Sequence, residues 1–193
     1  MTMIVETIIT SMDSTGNVHI TPFGIREQDG FVIISPFKPS TTLENILTTK
    51  SAVMNLTDDV RVFAGAITKK YRAEVVPVEK VQGFRLAETL SHKELTLERI
   101  VEDEVRPQLW MRVAYEKNHQ PFKGFNRAQS AVIELAVLAS RLTMLPKEKI
   151  MQEKNYLQIA MDKTAGEREW EAWGWLNEKV DNFYAAVDGE NVV

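Results

Sequence analysis

The most informative part of the chain for its fold, Asn17–Asn45, reads NVHITPFGIREQDGFVIISPFKPSTTLEN. Two runs rich in β-branched and aromatic residues within it, Val18–Thr21 and Phe31–Ile34, predict strands. The Gln28–Gly30 sequence between them predicts a hairpin turn. A proline-rich loop follows the second run, and the residues Ser40–Asn45 after that loop predict the start of a helix. The stretch therefore indicates a hairpin that is followed by a loop and a helix.

Two features of this stretch predict parts of a ligand site. Pro22 and Gly24 are expected to interrupt the first strand, which would expose backbone groups to the edge of a planar heterocycle. The hydroxyl-rich helix start at Ser40–Thr42 has free N–H groups and the positive end of the helix dipole, which suit a phosphate. Each feature also has a structural explanation without a ligand. The interruption could be a plain bulge, and Thr41 with Glu44 forms a capping-box sequence.

The composition is that of an ordinary globular protein. The 193 residues are 44% hydrophobic and 26% charged, with a net charge of −4, which gives no electrostatic footprint for nucleic acid or an anionic membrane. The chain has no cysteine, which excludes disulfides and thiolate ligands and fits a cytoplasmic protein. No basic apolar leader and no uncharged apolar run of membrane-spanning length is present. We therefore expect a cytoplasmic protein without nucleic-acid or membrane partners.

The predicted elements change character near residue 120. The stretch Leu95–Arg106 fits either a strand or a broken helix. Before residue 120, further strands are predicted at Met3–Met12, Ser51–Leu56, Tyr71–Val78, Phe84–Thr89 and Leu109–Glu116, with a short helix at Val60–Ile67. After it, helices are predicted at Asn126–Leu145, Lys147–Met161 and from a capping box at Thr164–Glu167 to about Val187. We therefore predict an α+β protein: a small antiparallel β-barrel over residues 1–120, then a helical subdomain over residues 121–193.

Few side chains form a recognisable chemical motif. The three histidines, His19, His92 and His119, lack the spacing of metal ligands, so no metal is expected. No nucleophile elbow, phosphate-binding loop or dinucleotide fingerprint is present. Asn126 and Arg127 open a predicted helix after an aromatic loop, and they fit either a solvated helix edge or a contact to an anionic ligand.

Three blocks of sequence carry a resemblance to a known family. They are the PFG and PFKPSTTLEN segments of the opening stretch, NLTDD at Asn55–Asp59, and GFNRAQSAVIELAVLASRL at Gly124–Leu142. With these blocks the chain resembles an uncharacterised family of FMN-binding split-barrel proteins found in methanogens and methylotrophs. That family is related to flavin-reductase and pyridoxamine-phosphate-oxidase-like barrels. The resemblance implies a split barrel with a C-terminal helical segment, a homodimer, and FMN bound near the dimer interface.

The resemblance also implies which residues contact the cofactor. These are Thr21, Pro22, Phe23, Gly24 and Ile25 along the isoalloxazine, Thr41 and Thr42 at the phosphate, Asn55 and Thr57 near the ribityl chain or ring edge, and Asn126 and Arg127 closing the pocket. The chain departs from many split-barrel relatives at the phosphate, because only Lys38 and no arginine lies near that segment of sequence. No catalytic residue is predicted.

Two classes of function follow. The first is an FMN-dependent oxidoreductase that acts on a small molecule, with a link to tetrahydromethanopterin-type one-carbon metabolism implied by the resemblance. The alternative is a non-catalytic module that binds FMN or another phosphorylated metabolite.

Overall fold

The computed structural model describes residues 3–190, which form two compact units. The first unit comprises residues up to 57 together with 73–122, and the second comprises 58–72 together with the residues from 123 onward. The strands are β1 (Val5–Met12), β2 (Val18–Gln28), β3 (Phe31–Ile34), β4 (Ser51–Leu56), β5 (Val75–Pro77), β6 (Phe84–Leu86), β7 (Ser91–Val101) and β8 (Gln108–Asn118). The helices are α1 (Thr41–Thr49), α2 (Arg61–Thr68), α3 (Arg127–Ala139), α4 (Lys147–Thr164) and α5 (Glu167–Glu190).

Six strands of the first unit close into an antiparallel barrel in the order β1-β2-β3-β8-β7-β4, with β4 pairing back to β1. Alternate side chains of each strand point inward, so apolar residues at every second position fill the interior. The fully buried members of this core include Ile9, Ile34, Leu95, Leu109 and Met111. The barrel, together with the helices that follow it in the chain, confirms the predicted fold class.

Strand β2 runs without a break, so the expected interruption at Pro22 and Gly24 is wrong. Its pairing with β1 is continuous from Val5 opposite Ile25 to Met12 opposite Val18. The partner β3 pairs only with the Arg26–Gln28 end of β2. Pro22 therefore lies where β2 has a neighbour on one side only, and its missing N–H can face the open edge without loss of a ladder bond.

The hairpin between β2 and β3 turns at Asp29 and Gly30, as predicted. Both residues have positive φ, 53° and 77°, which is the conformation of a type I′ turn. Of the undecided stretch Leu95–Arg106, the part up to Val101 belongs to strand β7, because β7 pairs with β4 on one side and β8 on the other. Residues 102–106 lie in the connection between β7 and β8. A separate two-stranded sheet is formed by β5 and β6, which are shorter than predicted.

Helices α2 to α5 of the second unit share one apolar core. Leu135, Ile150, Leu176 and Val180 are fully buried in it, and Trp173 is nearly so. Helix α3 ends at Ala139, before the predicted Leu145. The expected capping box at Thr164–Glu167 is wrong, because Thr164 is the last residue of α4. No helix within residues 3–190 is long and apolar enough to span a membrane.

Candidate functional site

The start of α1 is the first part of the candidate site. Ser40 caps the helix, since its Oγ accepts a hydrogen bond from the Leu43 N–H at 3.3 Å. The expected cap at Thr41 is therefore shifted by one residue. The Ser40 carbonyl accepts from the Glu44 N–H, so the N–H groups of Thr41 and Thr42 must find partners outside the helix. Thr41 is exposed and Thr42 is buried, so of these two threonines Thr41 is the one whose side chain is open to an anion.

The loop before α1 is held by the connection between β7 and β8. The Lys38 N–H donates to the Val105 carbonyl at 2.9 Å, and Lys38 Nζ donates to the Asp103 carbonyl at 2.9 Å. Arg106 Nε donates to the Ser35 carbonyl at 2.8 Å. The lysine predicted near the phosphate is thus tied to the protein, and an arginine about 70 residues away in sequence lies against the same loop.

A small cavity of about 170 Å³ lies beside this loop. It is lined by Gly24, Arg26, Ser35 and Arg106 together with Ile4 and Gln108. Ser35 is buried, and its Oγ has no hydrogen-bond partner among the described residues. Because a buried hydroxyl without a partner is costly, two cationic side chains and an unsatisfied hydroxyl around one cavity indicate a place for a polar or anionic group.

The Thr21–Ile25 stretch lies on β2 against β1. Ile25 is almost fully buried and Phe23 packs against the barrel core, so these two side chains are occupied by the fold. A side chain at Gly24 would meet Ile4, because a Cβ there would lie 2.8 Å from Ile4 Cγ2. Thr21 Oγ1 forms a hydrogen bond with His19 Nε2. Gly24 also lines the cavity of about 170 Å³ beside the loop before α1.

The side chain of Asn55 connects three strands of the barrel unit through hydrogen bonds. It is fully buried, and its Nδ2 lies within hydrogen-bond distance of the Ile8 and Val53 carbonyls and of Thr10 Oγ1. Its Oδ1 accepts from the Leu86 N–H at 2.9 Å. Ile8 on β1 is paired with Pro22 of β2 on one side and with Asn55 of β4 on the other. The barrel therefore places these two predicted contacts at the same level, on the two strands that flank β1. Thr57, two residues on, is half-buried and is the last residue of the first segment of this unit.

The last two predicted contacts, Asn126 and Arg127, belong to the helical unit. The Asn126 Oδ1 caps α3 by accepting from the Ala128 and Gln129 N–H groups, and its Nδ2 donates to the Thr164 carbonyl. Its side chain therefore has a structural role. Arg127 is exposed and lines a cavity of about 180 Å³ with Glu134 and others of the same unit. Their role as cofactor contacts stays a prediction.

Sequence reasoning missed Arg26 and Arg106 as cations near the Ser35–Ser40 loop. Arg26 lies two residues after Gly24 on strand β2, and residues two apart on a strand face the same side of the sheet. The sequence therefore held a usable signal that Arg26 lies on the same face as Gly24. Arg106 gave no such signal. It precedes Pro107 in a connection whose position depends on the pairing of β7 with β8.

The fold has well-matched counterparts among solved structures. An FMN-bound protein from Methanosarcina mazei, assigned to the family model DUF447, shares 19% identity with a TM-score of 0.79, covering 93% of this chain and 96% of that one. An NADH:FAD oxidoreductase from Streptomyces globisporus, in complex with NAD and FAD fragments, shares 13% identity with a TM-score of 0.51, covering 61% of this chain and 75% of that one. Nitrilotriacetate monooxygenase component B from Bacillus cereus shares 16% identity with a TM-score of 0.51, covering 67% and 77%.

A comparison with curated protein sequences found no match. Two family models, however, match most of the chain. The N-terminal domain model of the protein of unknown function DUF447 matches residues 5–120, and a second model of the same family matches residues 126–178. Together they confirm the family resemblance that the sequence blocks carried, and the chain belongs to the DUF447 family.

Proposed function

We propose that this chain is a flavoprotein that binds FMN in its barrel unit and passes electrons through it. The observation that carries the proposal is the likeness to the FMN-bound family member from Methanosarcina mazei, which extends over nearly all of both chains. The other neighbours include an NADH:FAD oxidoreductase, which supports a redox role rather than storage of the flavin.

The residues around the Ser35–Ser40 loop fit a phosphate. The Thr41 hydroxyl is exposed at a helix start whose first N–H groups lack intrahelical partners. The buried Ser35 hydroxyl is unsatisfied, and Arg26 and Arg106 line the same small cavity. A cavity of about 170 Å³ is below the usual size of a small-molecule site, so it suits one end of a larger ligand.

In this proposal the protein holds and orients the cofactor, and the cofactor supplies the chemistry. FMN, when bound, supplies hydride and electron transfer. The helix start and the arginines would hold the phosphate, and the backbone of β2 would orient the ring. Asn55 would act indirectly, by fixing β1, β4 and β6 relative to one another, since its amide is used entirely by those segments.

We further propose a homodimer and a small organic second substrate. Support for both comes from the family resemblance alone, and that resemblance favours a tetrahydromethanopterin-type one-carbon carrier as the class of substrate. Sedimentation velocity on the purified protein tests the dimer. Reoxidation of the reduced protein by methylene- or methenyl-pterins, compared with buffer, tests the substrate class.

The first experiment is the visible absorption spectrum of the purified protein, followed by titration with FMN. We expect a bound-flavin spectrum, with FMN released on denaturation. Thr41→Ala should weaken FMN binding about tenfold, the usual effect of losing one hydrogen bond to a charged group. Thr48→Ala is the matched control, because Thr48 is exposed on the same helix and its hydroxyl donates to the Glu44 carbonyl one turn earlier. A protein that neither contains nor binds FMN contradicts the proposal.

Anaerobic addition of NADH or NADPH separates the two classes of function. Bleaching of the bound flavin supports an oxidoreductase. A flavin that is bound tightly but is not reduced supports the alternative of a binding module. Tight binding of another phosphorylated metabolite in place of FMN supports the same alternative at the same helix start.

A further inference from the structure

A second, larger cavity opens in the barrel unit. Its volume is about 570 Å³, within the range of sites that hold small organic molecules. The residues that line it include Leu56, Leu90, His119 and Phe122. The rim is fixed by the backbone, because the N–H groups of His119 and Gln120 both donate to the Leu90 carbonyl. The apolar side chains offer a surface for a flat molecule, and His119 is the titratable group that faces it.

Behind His119, a chain of polar groups runs into the barrel wall. His119 Nε2 lies 2.9 Å from Nδ1 of His92, and the two ring planes are nearly parallel, 16° apart, with centroids 5.0 Å apart. His92 Nε2 lies 3.4 Å from Oε1 of Glu94. His92 is 2% exposed and Glu94 is 0% exposed, so the chain leads from the cavity to a fully buried carboxyl group.

Glu94 is held in its ionised form. Its two oxygens accept three backbone hydrogen bonds, from the N–H groups of Glu79, Lys80 and Val81 at 2.9, 2.6 and 2.8 Å. Burial by itself raises the pKa of Glu94, but these donors outweigh it and the pKa is lowered below its ordinary value. A buried carboxylate of this kind stabilises positive charge on neighbouring imidazoles.

The carboxylate also fixes the direction of the chain. An ionised Glu94 accepts only, so His92 must carry its proton on Nε2 and present Nδ1 as an acceptor. His119 must then donate from Nε2 to that nitrogen. The Nδ1 atom of His119 is left as an acceptor, at the residue that lines the cavity.

The surroundings of both histidines favour their neutral forms. Burial lowers the pKa of His92 and of His119. The charged groups around them act in both directions: Arg85 on β6 and Lys117 on β8 lower the pKa of His119, whereas Glu79 raises it. Tyr115 on β8 lies against the His92 ring with centroids 6.1 Å apart. His119 is therefore a neutral base in these surroundings, and an anion bound beside it would raise its pKa.

We propose that this cavity binds a flat organic molecule with an acidic O–H or N–H group, such as a phenol, an enol or an imide, and that His119 takes its proton. The O–H or N–H bond of the ligand breaks, its proton moves to Nδ1 of His119, and the electron pair stays on the ligand as an anion. That anion faces an imidazolium whose charge is balanced by Glu94 through His92. The apolar rim at Leu56, Leu90 and Phe122 covers the faces of the molecule. The inference does not depend on the binding of FMN.

The test uses 4-nitrophenol as the probe, because its neutral and ionised forms absorb at different wavelengths. Difference spectra are recorded against the same protein sample without the probe, so that any flavin bands cancel. We expect saturable binding, with a larger ionised fraction of bound probe than of free probe at the same pH. In histidine-selective ¹⁵N NMR, His119 should change to the imidazolium pattern as the probe is added.

Variants of the chain test which residue takes the proton. His119→Gln should weaken binding of 4-nitrophenol by about tenfold or more, and the 4-nitrophenol that still binds should remain neutral. Glu94→Gln should lower the ionised fraction of bound probe, whereas His19→Gln, the same change at a histidine outside the cavity, should alter neither quantity. Thermal unfolding checks that each variant is folded, and the wild-type NMR experiment needs no variant.

Three results would overturn the inference. The first is the absence of saturable probe binding to the wild-type protein. The second is a His119→Gln variant that binds and ionises the probe as the wild type does. The third is loss of the probe as FMN is added, which would assign the cavity to the flavin itself.

Discussion

The barrel unit and the helical unit bury very different kinds of side chain. Among the described residues, the barrel unit buries eleven polar or charged side chains, and the helical unit buries two, Asp59 and Glu169. The eleven are Thr7, Thr10, Ser11, Ser35, Thr42, Asn45, Ser51, Asn55, Thr89, His92 and Glu94. Buried polar groups are stable only when they find partners, so the barrel wall is organised by hydrogen bonds and the helical unit by packing.

The difference separates two ways of making a stable unit. In the barrel, Asn55 joins Ile8, Val53 and Leu86, which come from three strands. In the helical unit, residues such as Leu135 and Leu176 contribute through apolar area alone. Both cavities to which we assign ligands lie in the unit with the polar interior, because their walls supply the donors, acceptors and charges that recognition needs.

The largest expected effect is on packing in the helical unit. Leu135→Ala removes a fully buried side chain and should lower the free energy of unfolding by about 3 kcal/mol, through lost burial and the cavity left behind. Urea denaturation followed by circular dichroism measures this. Leu47→Ala, at an exposed leucine of α1, is the control and should cost about 1 kcal/mol or less. A loss at Leu135 no larger than the control would contradict a core held by packing.

The next largest loss of stability is expected at Asn55, whose buried amide connects strands of the barrel unit. Asn55→Ala leaves the Leu86 N–H and nearby carbonyls buried without a side-chain partner, and should cost about 2 kcal/mol. Asn118→Ala, at an exposed position of β8, should cost about 0.5 kcal/mol or less. Equal losses at the two positions would show that the buried amide contributes nothing beyond the surface one.

A smaller, pH-dependent effect is expected at Glu94. The pKa of Glu94 is lowered in the folded state, so its stabilisation is present above the ordinary value of 4.5 and is lost as pH falls through the folded pKa. Glu94→Gln should therefore cost about 1–2 kcal/mol at neutral pH. The difference from wild type should shrink below pH 4.5. Urea midpoints across this range measure it, and a pH-independent difference would refute the ionised assignment.

The smallest effect is expected at the surface of the helical unit. Lys70 and Glu178 form an ion pair at 2.9 Å, and both side chains are about half exposed. Water and salt screen such pairs, so Lys70→Ala should cost about 0.5 kcal/mol or less. A double-mutant cycle with Glu178→Ala measures the pair itself. A coupling energy well above 1 kcal/mol would mean that charge, and not packing alone, stabilises this unit.

The sequence predicted those elements whose signals are local. Strands β1, β3 and β4, the turn at Asp29 and Gly30, and the three C-terminal helices all followed from periodicity and turn chemistry. The expected break at Pro22 was wrong, because β3 pairs with β2 at Arg26–Gln28 and leaves one side of β2 unpaired at Pro22. The sequence does not show where that pairing ends. The cap at Ser40 in place of Thr41 is a shift of one residue, within the usual uncertainty of helix ends.

Part of the histidine chain was also within reach of the sequence. His92 and Glu94 are two residues apart, so on a strand they share a face, and that spacing was a usable signal. His119 was not within reach, because its place beside His92 follows from the register of β7 against β8, where His92 pairs with Lys117. The same holds for Arg106, whose approach to Ser35 joins residues 71 apart.

The amino-acid sequence was enough to assign the class of the molecule: a β-rich first part with a hydroxyl-bearing helix start, a helical second part, and family blocks that link the chain to DUF447. These properties depend on local propensity and on residue identity, which the chain carries at every position. The identity of the buried polar groups and of their partners, in contrast, depends on how the chain folds in three dimensions. Barrel closure and strand register bring Arg106 to Ser35 and His119 to His92 and Glu94, and such long-range distances are fixed by pairing across the sheet.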